Sequence, residues 1–378
     1  MVMDFEFTAE QKLIRSSAKE FLEAEVPKDI VRELEEKDEG FPPGLWQKIA
    51  DLGWVGLTIP EDYGGMGMGF LDLIVLLEEM GYNLLPGPFF STVMGAFPII
   101  MGGSEEQKRQ YLPAISEGKL RLALALTEPT ATYHPSGIMV EAVPTGDKYL
   151  IEGTKLFVES GHLADYLLCA VRTSRDERPE AGLTLFVIDS KTPGIQFSVI
   201  PTIGLEKQCE VTFANAEVPK INMVGGLNEG WTILEKTLQK AQVGKCAEML
   251  GGMMASLDMT NTYVKKRKTY GTSVASYQVI QHYLADIWID LETSRSITYL
   301  AASKIDRGHE CGMEVHAAKA WVGEAFSRLT ERCVQMHGAI GLTKECDIGL
   351  YYRNAMASDL SFGDAGYQRG ELIKRLIC

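Results

Sequence analysis

Basic residues are in short supply in this chain of 378 residues, where 37 Lys and Arg stand against 51 Asp and Glu for a net charge of -14. Neutralising nucleic-acid phosphates needs clustered Lys and Arg, so no nucleic-acid partner is expected. Long apolar runs are missing too. No stretch reaches the roughly 18 uninterrupted apolar residues of a membrane span, and the opening segment carries acids throughout, unlike a secretory or transit peptide. A soluble, cytoplasmic protein is the expectation. There is no cysteine framework either: Cys169, Cys209, Cys246, Cys311, Cys333, Cys346 and Cys378 are odd in number and scattered, which fits free thiols in a reducing compartment. The nearest approach to a metal cluster is His309, Cys311 and His316. It lacks a fourth ligand and follows the turn-forming Asp306-Arg307-Gly308, so no metal is expected.

What is present is enough apolar sequence, 46%, to bury a large core, and a length that suggests two or three domains. Thr8 followed by Gln11 resembles a capping box, and Leu13, Ile14, Ala18, Phe21 and Leu22 follow at helical spacing, predicting a helix over 8–25. A second helix is predicted over 43–52, with Pro43 in its first turn, and others over 70–82 and 90–102. Between them lie the Gly-rich loop 60–70 and the break Pro86-Gly87-Pro88. From Leu122 the period changes. Short β-branched and aromatic runs at 148–151, 166–171, 183–188 and 211–213, bounded by Gly, Pro, Asp and Ser, predict an antiparallel sandwich or barrel. After Gly230 long helical patterns return over 231–266, 274–306, 312–338 and 364–376 and predict a bundle of four antiparallel helices. The expected class is α+β: a helical domain over 1–121, a β domain over 122–226 and a helical bundle over 227–378.

Several short motifs carry chemistry. Thr127-Glu128-Pro129 is a polar turn after an apolar strand, and Gly153-Thr154-Lys155 leads into the aromatic Phe157. Arg267 offers a rigid fork of donors at a helix end, next to Tyr270-Gly271, with Gln278 further on. Gln335 and Gly338 follow in the third long helix. Taken singly, Phe157 and Tyr270 read equally well as core aromatics, and His337 reads as a hydrogen-bonded scaffold residue more readily than as a base. Taken in register, with the strand and turn at 211–219 (VTFANAEVP), these segments resemble the acyl-CoA dehydrogenase family over nearly the whole chain. The resemblance implies that family's fold and FAD as cofactor. Leu126, Thr127, Phe157 and Glu159 would then lie about the flavin ring, while Arg267, Tyr270, Gln278, Gln335 and Gly338 would reach across a subunit interface to the neighbour's FAD. Tyr133, Phe89, Phe90, Gln242, Phe362 and Gly363 would line the substrate side.

The resemblance breaks at the catalytic base. Oxidising an acyl thioester at its α and β carbons needs a carboxylate to take the α-proton while the flavin takes a hydride. Most of the family carry that acid just before a glycine near the C-terminus. Counting back from Gln368-Arg369 puts the position at Phe362, followed by Gly363. A minority carry it on the helix before the Arg267 segment, and counting back from Tyr263 gives Ala241, with Gln242 beside it. Neither position is acidic. Glu159 stands where the family often has a small hydroxyl residue, and a carboxylate there is expected to offer its backbone N–H and turn its side chain away from the flavin.

The resemblance therefore implies an FAD-dependent acyl-CoA dehydrogenase, or a similar reductase running in reverse, that exchanges electrons with an electron-transferring flavoprotein. Pro-Gly-Pro and the two Phe residues in 84–92 (LLPGPFFST) suggest a bulky or cyclic acyl group. Long apolar faces around Trp288 and Trp321 suggest a homotetramer or heterotetramer. Two alternatives share the fold: a base-lacking subunit of a hetero-oligomer, and a flavin oxidase or monooxygenase.

Overall fold

Thr8 does cap the first helix. Its side chain accepts from the Gln11 N–H at 3.2 Å while Gln11 Oε1 accepts the Thr8 N–H at 3.1 Å, satisfying two otherwise orphaned donors. The computed structural model describes residues 7–377, and Cys378 therefore lies outside it. Among the described residues six α-helices precede the sheet: α1 (Ala9–Glu25), α2 (Lys28–Glu35), α3 (Pro43–Asp51), α4 (Phe70–Asn83), α5 (Phe89–Gly102) and α6 (Glu105–Ser116). The short α2 and the Ser104-capped α6 go beyond the sequence expectation. Eight residues are too few for α2 to display a helical period. Helix α5 is buried all round from Phe89 to Ile99, as its uninterrupted apolar sequence requires.

The middle of the chain forms β1 (Leu122–Ala125), β2 (Glu141–Thr145), β3 (Lys148–Glu159), β4 (Tyr166–Arg172), β5 (Leu183–Asp189), β6 (Ile195–Ile200), β7 (Gln208–Pro219) and β8 (Met223–Val224). The sheet runs β6-β7-β3-β2-β4-β5-β8 with β1 joined to β4. It is mixed, not antiparallel as the sequence predicts, because β1 pairs parallel with β4 from Leu122 beside Tyr166 to Ala125 beside Cys169. Strand β1 enters from the helical domain, and two other strands intervene before its partner, so no hairpin fixes its direction. One face of β4 and β5 (Leu167, Cys169, Phe186, Ile188) belongs to a core inside the β domain. The alternate residues Leu168, Ala170, Leu185 and Val187 join the large core shared with the helices. The period of two thus attaches the sheet to both helical layers.

The C-terminal part contains α7 (Gly230–Lys266), α8 (Gln278–Asp306), α9 (Gly312–His337), α10 (Ile348–Leu360) and α11 (Ala365–Ile377). Four of these match the expected bundle. The fifth, α10, corrects the count, since its apolar positions are diluted by Gly349, Asn354 and Ser358 and show no clear stripe. Helices α4 and α7 cross backbone to backbone. A Cβ on Gly251 would overlap the Glu78 carbonyl oxygen, and one on Gly81 would overlap that of Glu248. Only glycine permits this approach, which ties the first helical domain to the bundle.

Candidate active site

A cavity of about 500 Å³ opens where the three parts of the chain meet. Phe90 and Ser91 of α5 form one wall, Leu126 and Thr127 after β1 a second, Phe157 and Glu159 at the end of β3 a third, and the 354–367 segment a fourth. The loop 202–208 and Lys245 of α7 complete it. Phe157 is presented by a β-bulge: the β3–β7 register shifts between Lys155 and Val158, and Phe157 takes a left-handed φ of 56°. A bulky residue at positive φ is strained, and the strain turns a 42% exposed ring toward the cavity instead of into the sheet. Of the residues assigned to the substrate side, Tyr133, Phe90, Phe362 and Gly363 line this cavity. Phe89 does not, being packed in the main core. Successive positions on a helix cannot share one face, and Phe90 takes the cavity side.

The turn carrying Thr127 is held by a buried ion pair. Lys155 Nζ donates to Glu128 Oε1 at 2.7 Å and to the Leu126 carbonyl at 3.2 Å, with the Lys155 side chain wholly shut off from solvent. The same carboxylate accepts the Met139 and Val140 N–H groups. The Leu156 N–H donates to the Thr127 carbonyl at 2.8 Å. Glu128 is therefore structural: it fixes Leu126 and Thr127 against the strand that presents Phe157.

The two usual base positions are non-acidic in space as well as in sequence. Phe362 sits at φ 58° before Gly363 at φ 96°, and its ring lies 5.9 Å from that of Phe90 and 5.8 Å from that of Tyr133. Tyr133 in turn meets Tyr367 at 6.4 Å, so an aromatic box fills this end of the cavity. Ala241 is fully buried. Gln242 does not face the cavity as expected of a substrate residue, because its Nε2 is used on the Phe362 carbonyl at 3.1 Å. Gln368 Nε2 donates to the same oxygen at 2.8 Å, and Lys319 Nζ to the Gly363 carbonyl at 3.1 Å. These amides and the ammonium fix the turn.

Glu159 lines the cavity and directs its carboxylate at a buried cation. Its side chain turns inward, with Oε2 3.6 Å from Lys245 Nζ, and its Oε1 is buried with no hydrogen-bond partner among the described residues. A buried cation on α7 draws it in, since Lys245 Nζ also lies 2.7 Å from Glu248 Oε2 and 4.0 Å from the centre of the Phe90 ring. Glu206, on the 202–208 loop, is the third acid. Its Oε2 is shut off from solvent and unpartnered among the described residues, and burial together with Glu159 and Glu248 pushes its carboxyl well above the usual range. Lys245 loses stability as a cation through burial, but Glu159, Glu248 and Glu206 outweigh that and hold it charged. Neither Glu206 nor Lys245 is among the site residues that the sequence singles out. Lys245 and Glu248, three apart inside the apolar run of α7, are a visible anomaly; Glu206 sits in a loop with no period to mark it.

A second group of assigned residues lies away from the cavity. Arg267, Tyr270 and Gln278 flank the tight hairpin of Lys268–Thr269 with Thr272–Ser273, and Gln335 and Gly338 end α9. Tyr263 joins the two segments, stacking on His337 at 4.4 Å and donating to its carbonyl at 3.1 Å. His337 Nδ1 is bonded to the Cys333 carbonyl, the scaffold role its sequence context suggests. All five residues are exposed, and Arg267, Gln278 and Gln335 make no side-chain hydrogen bond among the described residues. His316 Nδ1 is bonded to Gln368 Oε1 at 2.7 Å and Cys311 Sγ to Gln239, so neither faces the other as a ligand pair.

Residues 8–119 match the acyl-CoA dehydrogenase N-terminal domain, residues 123–216 its middle domain and residues 228–377 its C-terminal domain. The chain belongs to the acyl-CoA dehydrogenase family. It is an FAD-dependent oxidoreductase of the class acting on CH–CH groups. It is 30% identical to the caffeyl-CoA reductase-Etf complex subunit CarC of Acetobacterium woodii, covering 98% of this chain and 100% of that one. It is 29% identical to the 3-(aryl)acrylate reductase of Clostridium sporogenes over 98% and 99% of the two chains. The butyryl-CoA dehydrogenase structure from Megasphaera elsdenii superposes with a TM-score of 0.92 at 28% identity over the full length of both.

The residues present fit FAD. A strained, outward-facing Phe157 ring and the Thr127 turn supply a wall and donors for a flavin ring, while Arg267, Gln278 and Gln335 are exposed donors without a side-chain hydrogen bond among the described residues. Arg267→Ala is expected to remove charge-assisted bonds of about 1.5–3 kcal/mol each and lower FAD retention together with oligomerisation. Gel filtration with the flavin-to-protein absorbance ratio checks this. A variant that keeps both at the parental level contradicts it.

Proposed function

We infer that this acyl-CoA dehydrogenase acts on the α,β carbon–carbon bond of a CoA thioester with a bulky or cyclic acyl group, an aromatic one above all. The observation that carries this reading is the box of Phe90, Tyr133, Phe362 and Tyr367 where a carboxylate usually stands. Aromatic rings stack favourably on aromatic rings at these separations, by about 0.5–1.5 kcal/mol per pair. Relatives named as a caffeyl-CoA reductase subunit and a 3-(aryl)acrylate reductase support the same acyl class. FAD, when bound, supplies the two-electron chemistry by accepting or returning a hydride at the β-carbon. The chain's own residues do the rest. Leu126 and Thr127 position the flavin edge, Phe157 flanks it, and the aromatic box orients the acyl group and excludes water.

Electrons are proposed to pass to or from an electron-transferring flavoprotein, a reading supported by the Etf complex to which one relative belongs. Exposed Val279, Trp288, Ile289 and Trp321 on α8 and α9 support a tetramer built on the bundle. A cytoplasmic location accords with this partner, and among the described residues no helix is long and apolar enough to cross a membrane.

The test is anaerobic titration of the FAD-loaded protein with a panel of acyl-CoA thioesters. Phenylpropanoyl-CoA should bleach the flavin faster than butyryl-CoA, or its unsaturated counterpart should reoxidise the reduced flavin. Failure of every thioester, or a preference for straight chains, overturns the reading.

A further inference from the structure

Among the described residues, six titratable side chains line the cavity: Tyr133, Glu159, Glu206, Lys245, Asp364 and Tyr367. Each has an employment but one. Asp364 Oδ1 accepts the Tyr367 N–H at the start of α11, at 2.7 Å, and is spent as a cap. Lys245, held as a cation by its acidic neighbours, has no lone pair to offer. Burial keeps the Tyr133 and Tyr367 phenols protonated, so neither accepts a proton at neutral pH. Glu159 also has a buried oxygen without a partner, Oε1, but its Oε2 lies 3.6 Å from Lys245 Nζ as the counter-ion. Glu206 is left as the cavity carboxyl that forms no ion pair and has Oε2 unpartnered among the described residues.

We propose that Glu206 is the carboxyl that exchanges the α-proton of the thioester, doing from the 202–208 loop what neither Phe362 nor Ala241 can do. The inference rests on the function proposed above. In the oxidation, the α C–H bond breaks and its proton goes to Glu206 Oε2. The bonding pair becomes the α,β double bond as the β-hydrogen leaves with its own pair to oxidised FAD, and Glu206 then returns the proton to water. In the reduction, Glu206 gives the α-carbon its proton while the β-carbon receives a hydride from reduced FAD, and water reprotonates the carboxyl. Atoms and electrons balance in both directions.

The groups facing Glu206 set its protonation. Glu159 on β3 and Glu248 on α7 oppose ionisation, whereas Lys245 on α7 and the Gly87 N–H before α5 favour it. Burial and the two acids shift the carboxyl toward the protonated form, the form that donates. Ionisation at rising pH should therefore speed oxidation and slow reduction.

The experiment compares the FAD-loaded parent with Glu206→Gln, a near-isosteric change, and Glu206→Asp on the thioester that bleaches the parent fastest. Glu206→Gln should lower kcat by about 10²–10⁴-fold with KM and FAD content held, and should abolish the pH limb. Glu206→Asp should keep part of the rate. In infrared difference spectra, the protonated-carboxyl band of the parent should be missing from Glu206→Gln whether or not flavin is bound. An unchanged kcat in Glu206→Gln, or a fall in kcat matched by lost FAD and raised KM, overturns the proposal while leaving the function standing. A parent inert toward every thioester overturns both.

Discussion

Glu128→Ala should destabilise the protein by about 3–5 kcal/mol, the cost of leaving one member of a buried ion pair uncompensated. Lys155 Nζ would retain only the Leu126 carbonyl, and the Met139 and Val140 N–H groups would lose their acceptor. Because the pair fixes Leu126 and Thr127 against the bulge that presents Phe157, FAD content should fall with stability. Denaturant unfolding and the flavin absorbance ratio measure the two effects. Combining Glu128→Gln with Lys155→Met should restore most of the stability, since Gln Oε1 still accepts both N–H groups and no buried charge remains. A loss in Glu128→Ala below about 1 kcal/mol, the scale of an exposed pair, would show that the pair does not anchor the turn.

Phe362→Glu in a Glu206→Gln background should raise turnover by about ten-fold or more. Phe362 already occupies the left-handed φ of 58° before Gly363, and its carbonyl is held by Gln242 and Gln368, so a carboxylate side chain there inherits a fixed backbone. The change gives up two ring contacts, with Phe90 and Tyr133, at about 0.5–1.5 kcal/mol each. Recovery should be greater for a small acyl group than for an aromatic one, because the aromatic box is opened. Flavin bleaching rates at constant FAD content check the point. No recovery for any acyl group would mean that a carboxyl at 362 does not reach the α-carbon.

The sequence carried the outline of this fold where periodicity was strong. The Thr8 box, the Gly-rich loop after Pro60 and the three long helices after Gly230 follow from local rules and stand nearly where those rules put them. The parallel seating of β1 and the helix α10 did not show, the first because pairing with β4 is a long-range event and the second because small and polar residues blur its stripe. The site divides in the same way. Leu126, Thr127 and Phe157 lie in or beside motifs and meet at one cavity, whereas Glu206 comes from an irregular loop and meets Glu159 and Lys245 only in the folded chain. The inward turn of Glu159 has the same origin: a cation on a distant helix, not a local signal, decides where its carboxylate points.

The most direct test isolates the proton step. A phenyl-substituted acyl-CoA carrying sulfur at the β position has no β-hydrogen to surrender, so in D2O only α-proton exchange can be seen by NMR. The FAD-loaded parent should wash deuterium into the α-position, and Glu206→Gln should do so about 10²–10⁴-fold more slowly while binding the thioester as tightly. Equal exchange in both proteins would contradict the assignment of the α-proton to Glu206.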